Sequence, residues 1–238
     1  MITLNADSHF AHRGLHDESK PKNSLAAIVT AADAGYGVEF DVQLSADGVP
    51  IISHDPDTQA DTGVHMVIAK THSEVLRQLR FAGSSETLAT LDDVVSAVGA
   101  RVPLLVEIKP TTRVGATVSA VATRLQGREP STALQSFQPS IVTTAKRRFG
   151  QFAVGQLGEQ ANSTMPMLQR VHTRLLATNW TAKPDFLAMY LPVLQSPMVR
   201  FWRSALGCAL LGWTVIDDND MVTCRDAGAG MIFEKVRP

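Results

Sequence analysis

Short apolar runs alternate with amphipathic stretches along the whole chain, which is the pattern of repeated βα units around a parallel sheet. Eight of these runs predict strands near residues 8–12, 37–43, 103–109, 132–136, 152–156, 185–190, 209–215 and 229–234, with Val49–Ser53 as a short additional strand beside the second. Helical spacing falls between them, over Leu25–Ala34, Leu91–Val98, Val114–Leu125, Ile141–Phe149, Met165–Leu176, Gln195–Leu206 and Asp218–Ala227. Thr90-Leu91-Asp92-Asp93 has the form of a capping box, with Asp in place of the usual Glu, and marks a helix start. Eight parallel strands separated by helices close most economically as an α/β fold of the TIM (β/α)8 barrel type. An open doubly wound sheet fits the same periodicity, but the glycine-rich phosphate loops that usually accompany it are missing. Residues 55–89 fit no simple βα unit and predict a small insertion after the second strand. No linker interrupts the pattern, so residues 1–238 read as one domain.

Composition narrows the partners. The 238 residues are 45% hydrophobic, 19% charged and 6% aromatic, enough for one large core and unlike disordered, collagenous or disulfide-stapled chains. A formal charge of −1 argues against a nucleic-acid partner, and Lys146-Arg147-Arg148 reads as a solvated helix end. Cys208 and Cys224 lack the spacing of a zinc site and read as two small buried thiols. The longest nearly apolar run, Ala205 to Ile216, is shorter than the roughly 18 residues of a membrane span, so no stable membrane insertion is expected. Met1 to Asp7 shows neither the cationic start nor the apolar stretch of a signal peptide, which predicts a cytoplasmic location.

Chemistry concentrates at strand ends. Charged residues terminate otherwise apolar runs in Phe10-Ala11-His12-Arg13-Gly14, Val38-Glu39-Phe40-Asp41-Val42, Ile51-Ile52-Ser53-His54-Asp55 and Leu105-Val106-Glu107-Ile108-Lys109. Side chains two apart on a strand share a face, so Glu39 projects with Asp41 and Glu107 with Lys109. If that face is the barrel interior, three carboxylates meet at its mouth, and a divalent cation is the usual compensation for their repulsion. All-oxygen ligands favour Mg²⁺ or Ca²⁺. His12 and His54 end two different strands and, facing each other across that mouth, form an acid–base pair suited to a phosphodiester. Arg13 and Lys109 supply positive charge for the phosphate. His9, His16, His65, His72 and His172 are assigned packing or surface roles. His54-Asp55 also has the form of an HD-type phosphohydrolase dyad, but such dyads belong on helices and this one follows a predicted strand.

These segments, together with Pro21-Lys22-Asn23-Ser24, Asp47-Gly48-Val49-Pro50, Ser136-Phe137 and Gly212-Trp213-Thr214-Val215, fall in the order of the glycerophosphodiester phosphodiesterase family, which the chain resembles over nearly its whole length. The resemblance implies a TIM barrel with an insertion after the second strand. It implies one divalent metal, Mg²⁺ or Ca²⁺, on Glu39, Asp41 and Glu107, with His12 and His54 as acid and base. Arg13 and Lys109 become phosphate contacts and Trp213 a wall of the substrate cleft. The implied reaction hydrolyses a small-molecule glycerophosphodiester to glycerol 3-phosphate and an alcohol. A sugar phosphodiester or lysolipid substrate, a non-catalytic phosphodiester-binding barrel and a metal-independent lyase are the alternatives. The chain departs from the family at three places: Lys22 replaces an acid, Ala60 replaces an Arg, and Glu234 stands where Asp is usual.

Overall fold

The computed structural model describes residues 1–159 and 178–238. Among these, the strands are β1 (His9–His12), β2 (Gly37–Leu44), β3 (Pro50–Ile52), β4 (Leu104–Ile108), β5 (Thr132–Ser136), β6 (Ala153–Gly158), β7 (Phe186–Tyr190), β8 (Ala209–Val215) and β9 (Gly230–Phe233). All but β3 run parallel, each bonded to the next, and β9 returns to β1 to close an eight-stranded barrel. β3 lies outside the ring, antiparallel to β2. Every strand expected from the sequence is present, and the barrel replaces the open-sheet alternative.

Period-two alternation sorts each strand between two apolar layers. On β4, Leu104, Val106 and Ile108 face the helices, while Leu105 points inward with Phe10, Ala133, Ala153, Phe186, Ala188 and Ile232. Adding two to these inward positions gives His12 on β1, Glu107 on β4, Gln135 on β5 and, just past β9, Glu234. The barrel is therefore plugged by apolar side chains below and carries its polar groups above, at the C-terminal ends of the strands.

The helices mostly follow the expected boundaries, and the exceptions have local causes. The fifth expected helix, over 165–176, and His172 lie outside the described residues. The helix expected from Ile141 begins at Pro139, whose fixed φ and missing N–H suit a first helical turn. The one expected from Gln195 begins at Pro197, because the Ser196 hydroxyl caps it by accepting from Val199 N. The capping box at Thr90 is present in both directions: Thr90 Oγ1 accepts from Asp93 N at 3.2 Å and Asp93 Oδ2 accepts from Thr90 N at 2.8 Å.

Residues 55–89 are more ordered than a loop. They contain short helical turns at Gln59–Thr62, Ile68–Lys70 and Ser73–Leu76, and a satellite core of Ile68, Leu76, Phe81 and Leu88 closes on Ile51 of β3. Asp47 fastens the segment by accepting from Ser73 N at 2.9 Å and from its hydroxyl at 2.7 Å. Leu76→Ala removes a fully buried side chain from this small cluster, at a cost of about 2–5 kcal/mol. Limited proteolysis followed by mass spectrometry is expected to show new cleavage confined to residues 57–89 while barrel fragments stay protected.

Candidate active site

Two left-handed residues shape the turn that follows β1. Arg13 has φ +55° and Asn23 φ +61°, so the chain doubles back over the barrel mouth. Gly14, at φ +80°, lets it pass against the helix Leu25–Asp33, since a Cβ there would lie 2.5 Å from the Ala27 backbone. The turn delivers three ties to the acids of β2. Arg13 N donates to Glu39 Oε2 at 3.0 Å, Arg13 Nε lies 3.1 Å from Asp41 Oδ2, and Asn23 Nδ2 donates to the same oxygen at 2.9 Å.

Glu39, Asp41 and Glu107 are all buried and offer carboxylate oxygens within 4.8 Å of one another. Lys109 reaches into the cluster, its ammonium 2.7 Å from Glu107 Oε1 and 3.2 Å from Asp41 Oδ1. These positive groups do not balance the acids equally. Burial and the Asp41 charge push the Glu107 carboxyl up to about 7, and burial with both neighbouring acids holds Glu39 well above its ordinary value. Asp41 goes the other way: burial opposes its charge, but Lys109 and Arg13 outweigh burial. Burial resists the charge on Lys109 too, and the two acids overcome it, so its pKa is raised. The cluster retains uncompensated acidity, and that chemistry fits a divalent cation on the three carboxylates.

Beside it opens a cavity of about 240 Å³ lined by His12, His54, Arg13, Gln135, Phe137 and Trp213, among others. His12, on β1, and His54, just past β3, thus line one space. His12 is nearly buried, with Nδ1 3.0 Å from Glu234 Oε2, and burial holds its pKa below the ordinary histidine value despite that hydrogen bond. His54 is more open, with Nδ1 2.7 Å from Asp55 Oδ1. Its loop is clamped by the Gln43 amide, which donates to the carbonyls of Ser53, His54 and Asp55. The Trp213 indole donates to Ala188 O at 3.1 Å and meets Phe137 edge-on at 5.6 Å, which fixes it as one wall.

Several contributors carried no separable sequence signal. Gln135 lines the cavity with Oε1 buried and unpartnered, and Glu159 stands at its edge. Asn23 lay inside a quoted motif but had no role until its side chain met Asp41. Lys22 turns neither to the acids nor to water alone: its ammonium sits 2.8 Å from Glu234 Oε1. His16, assigned to packing, brings Nε2 to 3.5 Å from that same oxygen. Ala60 is exposed in the turn Gln59–Thr62, away from the cavity lining.

A closed parallel barrel that gathers an acidic triad from β2 and β4, His12 from β1 and His54 from just past β3 at one mouth is a TIM barrel. The model of the glycerophosphoryl diester phosphodiesterase family matches residues 12–235, and the chain belongs to that family. It is 35% identical over 99 residues to glycerophosphodiester phosphodiesterase 1 of Bos taurus, a match spanning 37% of this chain and 29% of the bovine protein. In structure it resembles an Oleispira antarctica phosphodiesterase solved in complex with the product sn-glycerol-3-phosphate, with TM-score 0.79 and 24% identity over 97% of this chain and 93% of the other. It also resembles a glycerophosphodiester phosphodiesterase from Parabacteroides distasonis, with TM-score 0.78 and 22% identity over 98% and 94% of the two chains. These structural likenesses establish the fold. No helix among the described residues is long and apolar enough to cross a membrane.

The raised acids set the pH response of the protein held in chelator. Between about 4.5 and about 7, the unfolded chain has released the Glu107 proton and the folded chain still holds it. Folding then binds a proton, and stability falls as pH rises through that window. Urea unfolding across this range is expected to show that decline in the parent and a smaller one in Glu107→Gln.

Proposed function

We propose that the protein hydrolyses a glycerophosphodiester to glycerol 3-phosphate and an alcohol, using one divalent cation and the His12–His54 pair, with residues 1–238 acting as one barrel domain. The observation that carries this reading is a buried carboxylate triad, two of whose members, Glu39 and Glu107, line one cavity with both histidines and Arg13. The bound product of the Oleispira relative supports the same substrate class.

Glu39, Asp41 and Glu107 would hold the cation, Mg²⁺ or Ca²⁺, which when bound neutralises phosphate charge and favours attack at phosphorus. Arg13, tethered by its own backbone to Glu39, presents its guanidinium to a non-bridging oxygen. Lys109 is fixed between Glu107 and Asp41, so it contributes to the phosphate as a held charge within the acid cluster. One histidine removes the proton of the glycerol hydroxyl next to the phosphate, whose tethering makes attack effectively intramolecular. The other protonates the departing alcohol, and water then opens the cyclic phosphate. Trp213 and Phe137 supply an apolar wall for the carbon skeleton of the substrate. A cavity of about 240 Å³ is of a size to take a small headgroup diester.

Metal dependence is testable directly. Exhaustive chelation is expected to abolish release of glycerol 3-phosphate followed by phosphorus NMR, and readdition of Mg²⁺ or Ca²⁺ to restore it. Glu39→Gln should weaken metal binding and turnover together. Full activity of that variant in chelator would remove the metal from the reaction.

The histidines give a separate test. His12→Ala and His54→Ala are each expected to lower kcat by on the order of 100-fold or more while calorimetric metal binding stays close to the parent's. Near-parental rates in both would discard the acid–base pair.

A further inference from the structure

The Glu234 carboxylate has its two oxygens committed to different partners. Oε1 accepts from the Lys22 ammonium at 2.8 Å, and Oε2 lies 3.0 Å from His12 Nδ1. His16 Nε2 approaches Oε1 at 3.5 Å without a hydrogen bond. The carboxylate is mostly shielded from water, whereas Lys22 is about half exposed. Hydrogen bonding to His12 and then to Lys22 favours the charged carboxylate over the cost of its burial, and its pKa is lowered. Glu234 is thus held in its charged form, an acceptor on both sides.

We propose that Lys22 and Glu234 act as a pair of positioning residues that fix which nitrogen of His12 carries the proton. An ionised carboxylate facing Nδ1 only accepts, so Nδ1 bears the hydrogen and Nε2 keeps the lone pair. His12 then presents Nε2 as its proton-accepting nitrogen. Lys22 makes the arrangement directional. It pins Oε1 and holds the carboxylate plane against rotation. The proposal rests on His12 taking part in the reaction, but its main readout does not require turnover.

The geometry makes an unusual prediction for Glu234→Gln. The amide has one acceptor and one donor end, and Lys22, which can only donate, takes the oxygen. The NH₂ end is left facing Nδ1, which must give up its hydrogen, so the neutral ring is expected to invert to the Nε2–H form. Removing the cation as well, in Lys22→Met with Glu234→Gln, frees the amide to turn its oxygen to Nδ1–H, and the original tautomer should return.

Long-range ¹H–¹⁵N spectra of histidine-labelled protein with Mg²⁺ present read this directly, with the His12 signals identified by their loss in His12→Gln. The expected result is Nδ1–H in the parent, Nε2–H in the single variant and Nδ1–H in the double. In parallel, kcat should fall on the order of 100-fold or more in Glu234→Gln, the kind of loss that accompanies a wrong histidine tautomer, and recover at least about tenfold in the double variant. KM should move less than about threefold throughout, since substrate contacts are untouched. Glu234→Asp, which remains an acceptor on both sides, should keep the parental tautomer. An unchanged tautomer in Glu234→Gln, or a double variant that keeps the tautomer of the single, would overturn the proposal. An inactive parent that shows the expected tautomer series would instead overturn the proposed reaction and leave this assignment standing.

Discussion

Three carboxylates held within 4.8 Å of one another, in a place nearly closed to water, set the terms for everything around the mouth of this barrel. Such a cluster is tolerated only with nearby positive charge or donors, and the chain supplies them from several elements. The turn after β1 brings a backbone N–H, a guanidinium and the Asn23 amide, and Lys109 comes from just past the end of β4. Each provider has its own supporting geometry: the left-handed backbones of Arg13 and Asn23, and the close passage of Gly14 over Ala27. The cost is local and the return is a preorganised anionic pocket, the general condition for holding an ion and a phosphate in fixed relation.

The division of the barrel interior follows from one rule of strand geometry applied eight times. Inward positions at the lower level are Phe, Leu, Ala and Ile, which pack the plug; on β1, β4, β5 and just past β9 the next inward positions are polar groups of the site, while β6 and β8 carry Leu157 and Trp213 into its lining. Rigidity at the base thus positions the chemistry at the mouth. The insertion extends the same logic outward, because its satellite core packs on Ile51 and so supports the strand that leads into His54.

What could be read from the chain depended on how far apart the contributing residues lie. Glu39 with Asp41, and Glu107 with Lys109, are two apart on one strand, so their shared face was visible from alternation alone. The strand order was equally legible, because βα repeats admit few closures. The link from Glu234 to His12 and Lys22 joins positions more than 200 residues apart and leaves no local pattern. His16 and Gln135 were invisible for the same reason: single polar residues of common type become meaningful only when closure of the ring puts them beside the site. Helix starts at Pro139 and Pro197 were displaced by proline and capping chemistry that a periodicity of apolar positions does not register.

The ammonium of Lys109, lodged between Asp41 and Glu107, has a consequence for how the molecule matures. It is an internal placeholder, a covalently attached counter-ion already present when the chain first folds. The barrel therefore does not have to wait for an external ion to assemble its most repulsive region. Two of the three acids thus carry a built-in partner, and any cation entering the cluster would meet that ammonium on the shared oxygens rather than a bare acidic hole.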